Sequence, residues 1–296
     1  MSTLAYVSAD GGPARRSAAA LLWRRLSRNV MSVAALAVLV VVALTAVGAP
    51  VIMPYDPDEP DAEHALEAPS GRHWLGTDLY GRDQLTRIVH AGRVDLLVAL
   101  AATAIALSIG SVLGAVSGYR GGWIDQLLMR VTDTIQAFPS FILAMGIAAA
   151  LGNSVTNIVI AIAITHVPIY GRLIRGEMLR IREMEYAEAA RTVGNPRRRI
   201  IFHHLLPNCL PPVIVQATLA MGFAILTVAA LSYIGLGIRP PTSEWGAMTA
   251  EGAGYIVSGE WWVFLFPGTA IMATVLSFNL VGDALRDVLD PRMKGV

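Results

Sequence analysis

The chain has 296 residues, 54% of them hydrophobic and 15% charged, with a mean hydropathy of +0.54 and a net charge of +1. This composition argues against an ordinary soluble globular domain and gives no electrostatic footprint for nucleic acid. Cys209 is the single cysteine, so an intrachain disulfide or a multi-cysteine metal site is excluded, and its apolar surroundings suit a packed thiol.

Residues 1–29 form a basic tail that ends with Arg24, Arg25 and Arg28, and an apolar run follows over 30–52. The run exceeds a signal peptide's apolar region of about 7 to 15 residues, which predicts an uncleaved membrane anchor. Residues 53–61, Met-Pro-Tyr-Asp-Pro-Asp-Glu-Pro-Asp, predict an irregular acidic surface segment. The glycines, aspartates and aromatics of residues 73–83 suit a turn-rich cap at the membrane face, with a docking role and a plain solvated loop as the two readings of it. A membrane helix needs about 20 apolar residues, and further candidates occur at 96–116, 134–151, 158–174, 210–236 and 262–281. Pro139 and Pro168 predict kinks in two of them, which a bundle tolerates when neighbours satisfy the freed carbonyls. Asp95, Asp133 and Asp283 fall near the ends of these runs. The second long outer loop, 237–261, carries Glu244, Glu251 and Glu260 among Trp245, Tyr255 and Trp261, a pattern that fits aromatic anchoring at the interface.

Six spans predict an all-α polytopic membrane protein. With the amino terminus inside, 18 of the 23 lysines and arginines lie on the inner side, as the positive-inside rule requires. Both termini are then expected in the cytoplasm. The expected organisation is a tail over 1–29, a first span and outer loop over 30–93, a core over 94–284 and a second tail over 285–296.

The one long inner loop, 181–207, is the most informative segment. Glu183, Glu185 and Glu188 suit the start of a short helix, and Gly194-Asn195-Pro196 supplies its stop. Ala187, Ala190 and Gly194 recur at helical steps and predict a smooth face that another protein can approach. Arg197 to Arg199 open a second basic helix, and Pro207, Pro211 and Pro212 mark the entry to the fifth span.

Glu188-Ala189-Ala190, Gly194 and Leu206-Pro207 resemble the EAA motif of ATP-binding cassette (ABC) importer permeases: Glu-Ala-Ala, three residues, Gly, nine residues, Ile, one residue, Leu-Pro. His204 stands at the isoleucine position. Residues 75–83 (Leu-Gly-Thr-Asp-Leu-Tyr-Gly-Arg-Asp), 92–96, 118–125 and 231–237, with Pro240-Pro241 and Trp245-Gly246, are similar to the C-type permease of dipeptide, oligopeptide and nickel importers. The resemblance implies a type I importer transmembrane fold in a bacterial inner membrane. It also implies a second permease, two ATP-binding subunits and an extracytoplasmic binding protein as partners. Glu188, Ala189, Ala190, Gly194, Arg197, Leu206 and Pro207 would couple the chain to the ATP-binding subunits, which would hold ATP and Mg. Peptide is the first substrate expectation, with nickel or another small solute as the alternative.

The chain carries no P-loop, because its one lysine, Lys294, follows no glycine-rich turn. Its six histidines form no HExxH, so neither a catalytic nor a metal site is expected. A secondary transporter or a membrane enzyme is the competing class, but coupling carboxylates at mid-span and clustered nucleophiles are not evident. Gln216 and Asn279 are the candidates for a polar pathway. Thr218, Thr227, Thr274 and Ser277 have the alternative of bonding their own helices.

Overall fold

Asn29 caps the first helix by accepting the Met31 N–H at 3.0 Å, in a computed structural model that describes residues 29–289. That helix, α1, spans Val30–Ile52. The Asp83 carboxylate caps α2, Gln84–Arg120, by accepting the Thr86 N–H at 2.8 Å. A Gly121-Gly122 turn leads into α3, Gly122–Gln136, followed by α4, Ser140–Leu151. Ser154 caps α5, Val155–Ile181, and the inner loop holds α6, Glu185–Thr192. Helical turns from Arg197 run into α7, Leu210–Tyr233. Glu244 caps α8, Trp245–Ala253, and α9 spans Trp262–Leu289. Every regular element among the described residues is helical.

Among the described residues five helices are long and apolar enough to cross a membrane, and a bent pair, taken as one divided span, makes a sixth. The run expected over 134–151 is the end of α3 plus α4, which meet at 85°. Pro139 adopts φ −54° and ψ 126°, outside the helical region, so the break is complete where a kink was expected. Pro168, by contrast, lies inside an uninterrupted α5. The expected division after residue 93 falls inside α2, which begins at Gln84. At about 1.5 Å per residue α2 is about 55 Å long, more than the roughly 30 Å hydrocarbon core.

Helices α2 and α5 run parallel and meet at Gly110, Gly114 and Gly118. A Cβ on Gly110 would lie 2.7 Å from Val167 O, and one on Gly118 would lie 2.8 Å from Arg175 O. Small residues four apart let backbones approach to van der Waals contact, the main attraction available between helices in lipid. Helices α7 and α9 approach in the same way at Gly222 and Gly282.

Residues 53–83 and 234–261 form a cap at one end of the bundle. His73, Thr77, Asp78, Arg82 and Asp83 are buried in it, so this is not the solvated loop considered above. Asp78 Oδ2 accepts from Arg82 Nε at 2.7 Å and Arg87 Nη1 at 2.5 Å, and Arg87 also reaches Glu251 at 3.3 Å. Trp262 Nε1 donates to Thr77 O and Gln84 Nε2 to Val263 O, tying the cap to α9. Trp245, expected as an interfacial anchor, is buried: its ring N–H donates to Ile88 O at 2.9 Å and its ring packs over Gly92. Trp261 remains half exposed, as an anchor requires.

Candidate functional site

At the other end of the bundle, Arg182 ends α5 and turns the chain into α6. Its Nη1 donates to Gly118 O at 2.9 Å and its Nε to Glu183 at 2.8 Å. Arg191 donates to Arg182 O at 2.5 Å and lies 5.8 Å from the Tyr119 ring centroid. The loop is therefore fastened to the end of α2 through carbonyls and an aromatic face. Gly194 adopts φ +80°, the left-handed conformation expected of a helix stop, and its N–H donates to Arg191 O. Asn195 Nδ2 adds a bond to Ala190 O at 3.1 Å.

Ala187 and Ala190 are buried against Ile181, Ile200 and Leu205 of the same chain. This corrects the expected smooth outer face: an eight-residue helix is marginal alone and uses its small residues to seat on the bundle. The outward face is instead Glu185, Glu188, Ala189, Thr192 and Val193, the last 81% exposed. Gly194 and Arg197 to Arg199 continue this exposed surface. Of the residues singled out from the motif, Glu188, Ala189, Gly194 and Arg197 lie together outside, while Ala190 lies underneath.

The helix from Arg197 contains a π-helical segment, Ile200–Leu205, and a 3-10 turn, Leu206–Cys209. Pro207, Pro211 and Pro212 remove three amide donors from this entry, and the altered turns accommodate them. Leu206 is half buried, Pro207 exposed, and Leu205 fully buried beside the half-buried His204. Cys209 is buried, as expected of a packed thiol.

Gln216 on α7 and Asn279 on α9 are both half buried. Asn279 Oδ1 lies 3.7 Å from where a Cβ on Gly222 would be, so it faces α7 of the same chain. Thr218, Thr227 and Ser277 donate to Ile214 O, Phe223 O and Ala273 O of their own helices. Thr274 is buried without a partner among the described residues.

A carboxyl pair escaped the sequence reading. Asp95 lies within α2 next to the start of the apolar run, fully buried, and accepts the Trp245 N–H at 3.1 Å. Glu244 accepts the Gly246 and Ala247 N–H groups at 2.7 and 2.8 Å and also meets Asp95. Burial pushes the Glu244 carboxyl above the usual carboxylate range. Among the described residues no group of three or more His, Cys, Asp or Glu is arranged to hold a metal.

The family described as the binding-protein-dependent transport system inner membrane component matches residues 110–295. The chain belongs to this family. The N-terminal transmembrane domain of oligopeptide transport permease C matches residues 17–69. A dipeptide transport system permease of Alkalihalophilus pseudofirmus is 47% identical, over 92% of this chain and 89% of its own. A probable D,D-dipeptide transport system permease of Escherichia coli is 43% identical over 95% and 94%. A glutathione transport system permease of Pectobacterium atrosepticum is 41% identical over 92% and 90%. The chain is thus a multi-pass inner-membrane permease with the type I ABC importer membrane-domain fold. Its broken α3–α4 crossing and its fastened inner loop are parts of that permease.

Proposed function

We propose that this permease carries small peptides inward by alternating access, powered by ATP hydrolysis in two partner subunits that dock on the arginine-rich end. The exposed face of Glu185, Glu188, Ala189, Val193, Gly194 and Arg197 is the observation that carries the docking assignment. It is charged and solvent-facing, and it is fixed to α2 and α5 by Arg182 and Arg191. A push on a loop so fastened moves helices instead of dissipating in a flexible segment. The parallel α2–α5 pair, locked through Gly110, Gly114 and Gly118, transmits it as one body.

In this reading the arginine-rich end and both termini are cytoplasmic. The terminal tails lie outside the described residues apart from the end of α9. A second permease completes the pathway, an extracytoplasmic binding protein delivers substrate to the cap, and ATP and Mg sit in the partner subunits. The coupling residues are Glu188, Ala189, Ala190, Gly194, Arg197, Leu206 and Pro207, with Ala190 acting by seating the helix. Gln216 and Asn279 are the pathway candidates, with Asn279 also at the α7–α9 contact. The relatives named for dipeptide, D,D-dipeptide and glutathione transport favour a peptide over nickel.

The test is peptide-stimulated ATPase activity and labelled-peptide uptake in proteoliposomes, with the chain alone and with its co-expressed partners. Both activities are expected only in the full assembly. Uptake by the chain alone, driven by an ion gradient and indifferent to ATP, would make it a secondary transporter.

A further inference from the structure

A cavity of about 740 Å³ lies between the end of α2 and the inner loop. Arg120 and the Gly121-Gly122 turn line it together with Arg182, Arg191 and Arg197, the last of which also belongs to the docking face. Four arginines thus line it against one carboxylate, Glu183, which Arg182 already binds. Arg120 and Arg197 have no carboxylate partner among the described residues. Arg182 and Arg191 are held in the loop's own hydrogen bonds, so Arg120 and Arg197 are the cations whose mutual repulsion an entering anion relieves. The cavity therefore fits an anionic group with several acceptor oxygens, such as a phosphate.

Its surroundings distinguish a lipid from a free ion. Trp123 lines the same cavity and is 72% exposed, and Leu127 and Val131 continue its line along α3, 55% and 53% exposed. These residues, four apart, form an apolar ridge that leads away from the charged walls. The apolar run of α2 ends at residue 116, so Arg120 lies about 6 Å further along the helix, at headgroup depth. A free anion would use the arginines and leave the ridge bare. A phospholipid uses both.

We propose that this cavity binds the headgroup of an anionic phospholipid, with its acyl chains lying along Trp123, Leu127 and Val131. Such a lipid would fill the angle between α2, α3 and the inner loop and so stiffen the connection through which the loop acts. The inference rests on the membrane-spanning assignment and not on the choice of peptide as substrate.

The test is native mass spectrometry of the assembled importer, titrated with dioleoyl phosphatidylglycerol, dioleoyl phosphatidylcholine or inorganic phosphate. One phosphatidylglycerol per copy of this chain should be retained in preference to phosphatidylcholine. Arg120→Gln should weaken retention about fivefold, as expected for one basic group at an anionic headgroup, and Arg120→Lys should restore most of it. Trp123→Ala should weaken the lipid and leave phosphate unaffected. Equal retention of the two lipids, or an unchanged count in Arg120→Gln, would overturn the proposal. Inorganic phosphate that displaces phosphatidylglycerol and responds identically to both substitutions would make this a free-anion site and would also overturn it. Should Arg120→Gln fail to assemble, the two-lipid comparison on the unaltered importer and the Trp123→Ala titration decide. Peptide-stimulated ATPase activity in the same samples reports the transport reading separately.

Discussion

The two ends of the bundle treat charge in opposite ways. In the cap, Asp78, Arg82, Arg87 and Glu251 pair with one another inside the chain, three of them buried at 5% exposure or less. At the inner loop Glu185, Glu188 and Arg197 to Arg199 face outward, and Arg182 and Arg191 spend their hydrogen bonds fastening the loop to the bundle. A charge network closed within one chain sets local structure and is sensitive to any missing member. An exposed charged face costs the single chain little and becomes specific only against a partner. The cap should therefore answer to mutation in stability, and the loop in coupling.

The largest effect is expected at Asp78→Ala, which leaves two buried guanidinium groups with Glu251 as their one remaining carboxylate among the described residues. Loss of one member of a buried ionic cluster costs about 3 to 5 kcal/mol, and the purified variant should melt far below the unaltered protein in the same detergent. A Tm within a degree or two of the original would mean the cap network is not what holds that end together. Gly114→Leu comes next, because a Cβ there would lie 2.9 Å from Ile174 Cβ and 3.0 Å from Arg175 N. Overpacking of this kind costs about 2 to 3 kcal/mol, to be read from the same thermal melt. Gly194→Trp should cost only about 1 kcal/mol for its left-handed backbone, since nothing lies within 4 Å of its Cβ position. It should insert and assemble normally, yet lose stimulated uptake. Normal uptake by this variant would remove the docking face.

The smallest effect concerns pH. The folded Glu244 carboxyl titrates above its unfolded range. The stability it contributes is fully present below the ordinary carboxylate range and is lost as pH rises through the raised folded value. Glu244→Gln should flatten that slope in melts recorded across pH. An unchanged slope would place the pH response elsewhere.

The spans were legible because an apolar run of about 20 residues has few other uses, and the inner loop because its helix stop, arginines and prolines are local signals. Gly194 adopted the left-handed turn that its place before Asn195-Pro196 predicts. What stayed hidden depends on partners far apart in the chain. Arg87 and Glu251 are separated by 164 positions, and Asp95 and Trp245 by 150, so neither segment alone distinguishes a buried cap from a solvated loop. The orientation of Ala187 and Ala190 was missed for a related reason: a face of small residues fits a partner and the chain's own core equally well. Gly110, Gly114 and Gly118 offered a readable signal in their four-residue spacing, which marks close helix packing in lipid.

The central claim, that the exposed inner loop and not the cap meets the ATP-binding subunits, can be tested by thiol cross-linking in the assembled importer. Val193→Cys and Trp74→Cys place exposed thiols at opposite ends of the bundle, while the native Cys209 is buried. A short bifunctional thiol reagent should join Val193→Cys to an ATP-binding subunit carrying surface cysteines and leave Trp74→Cys unjoined to it. Cross-linking through Trp74→Cys, with none through Val193→Cys, would contradict the account.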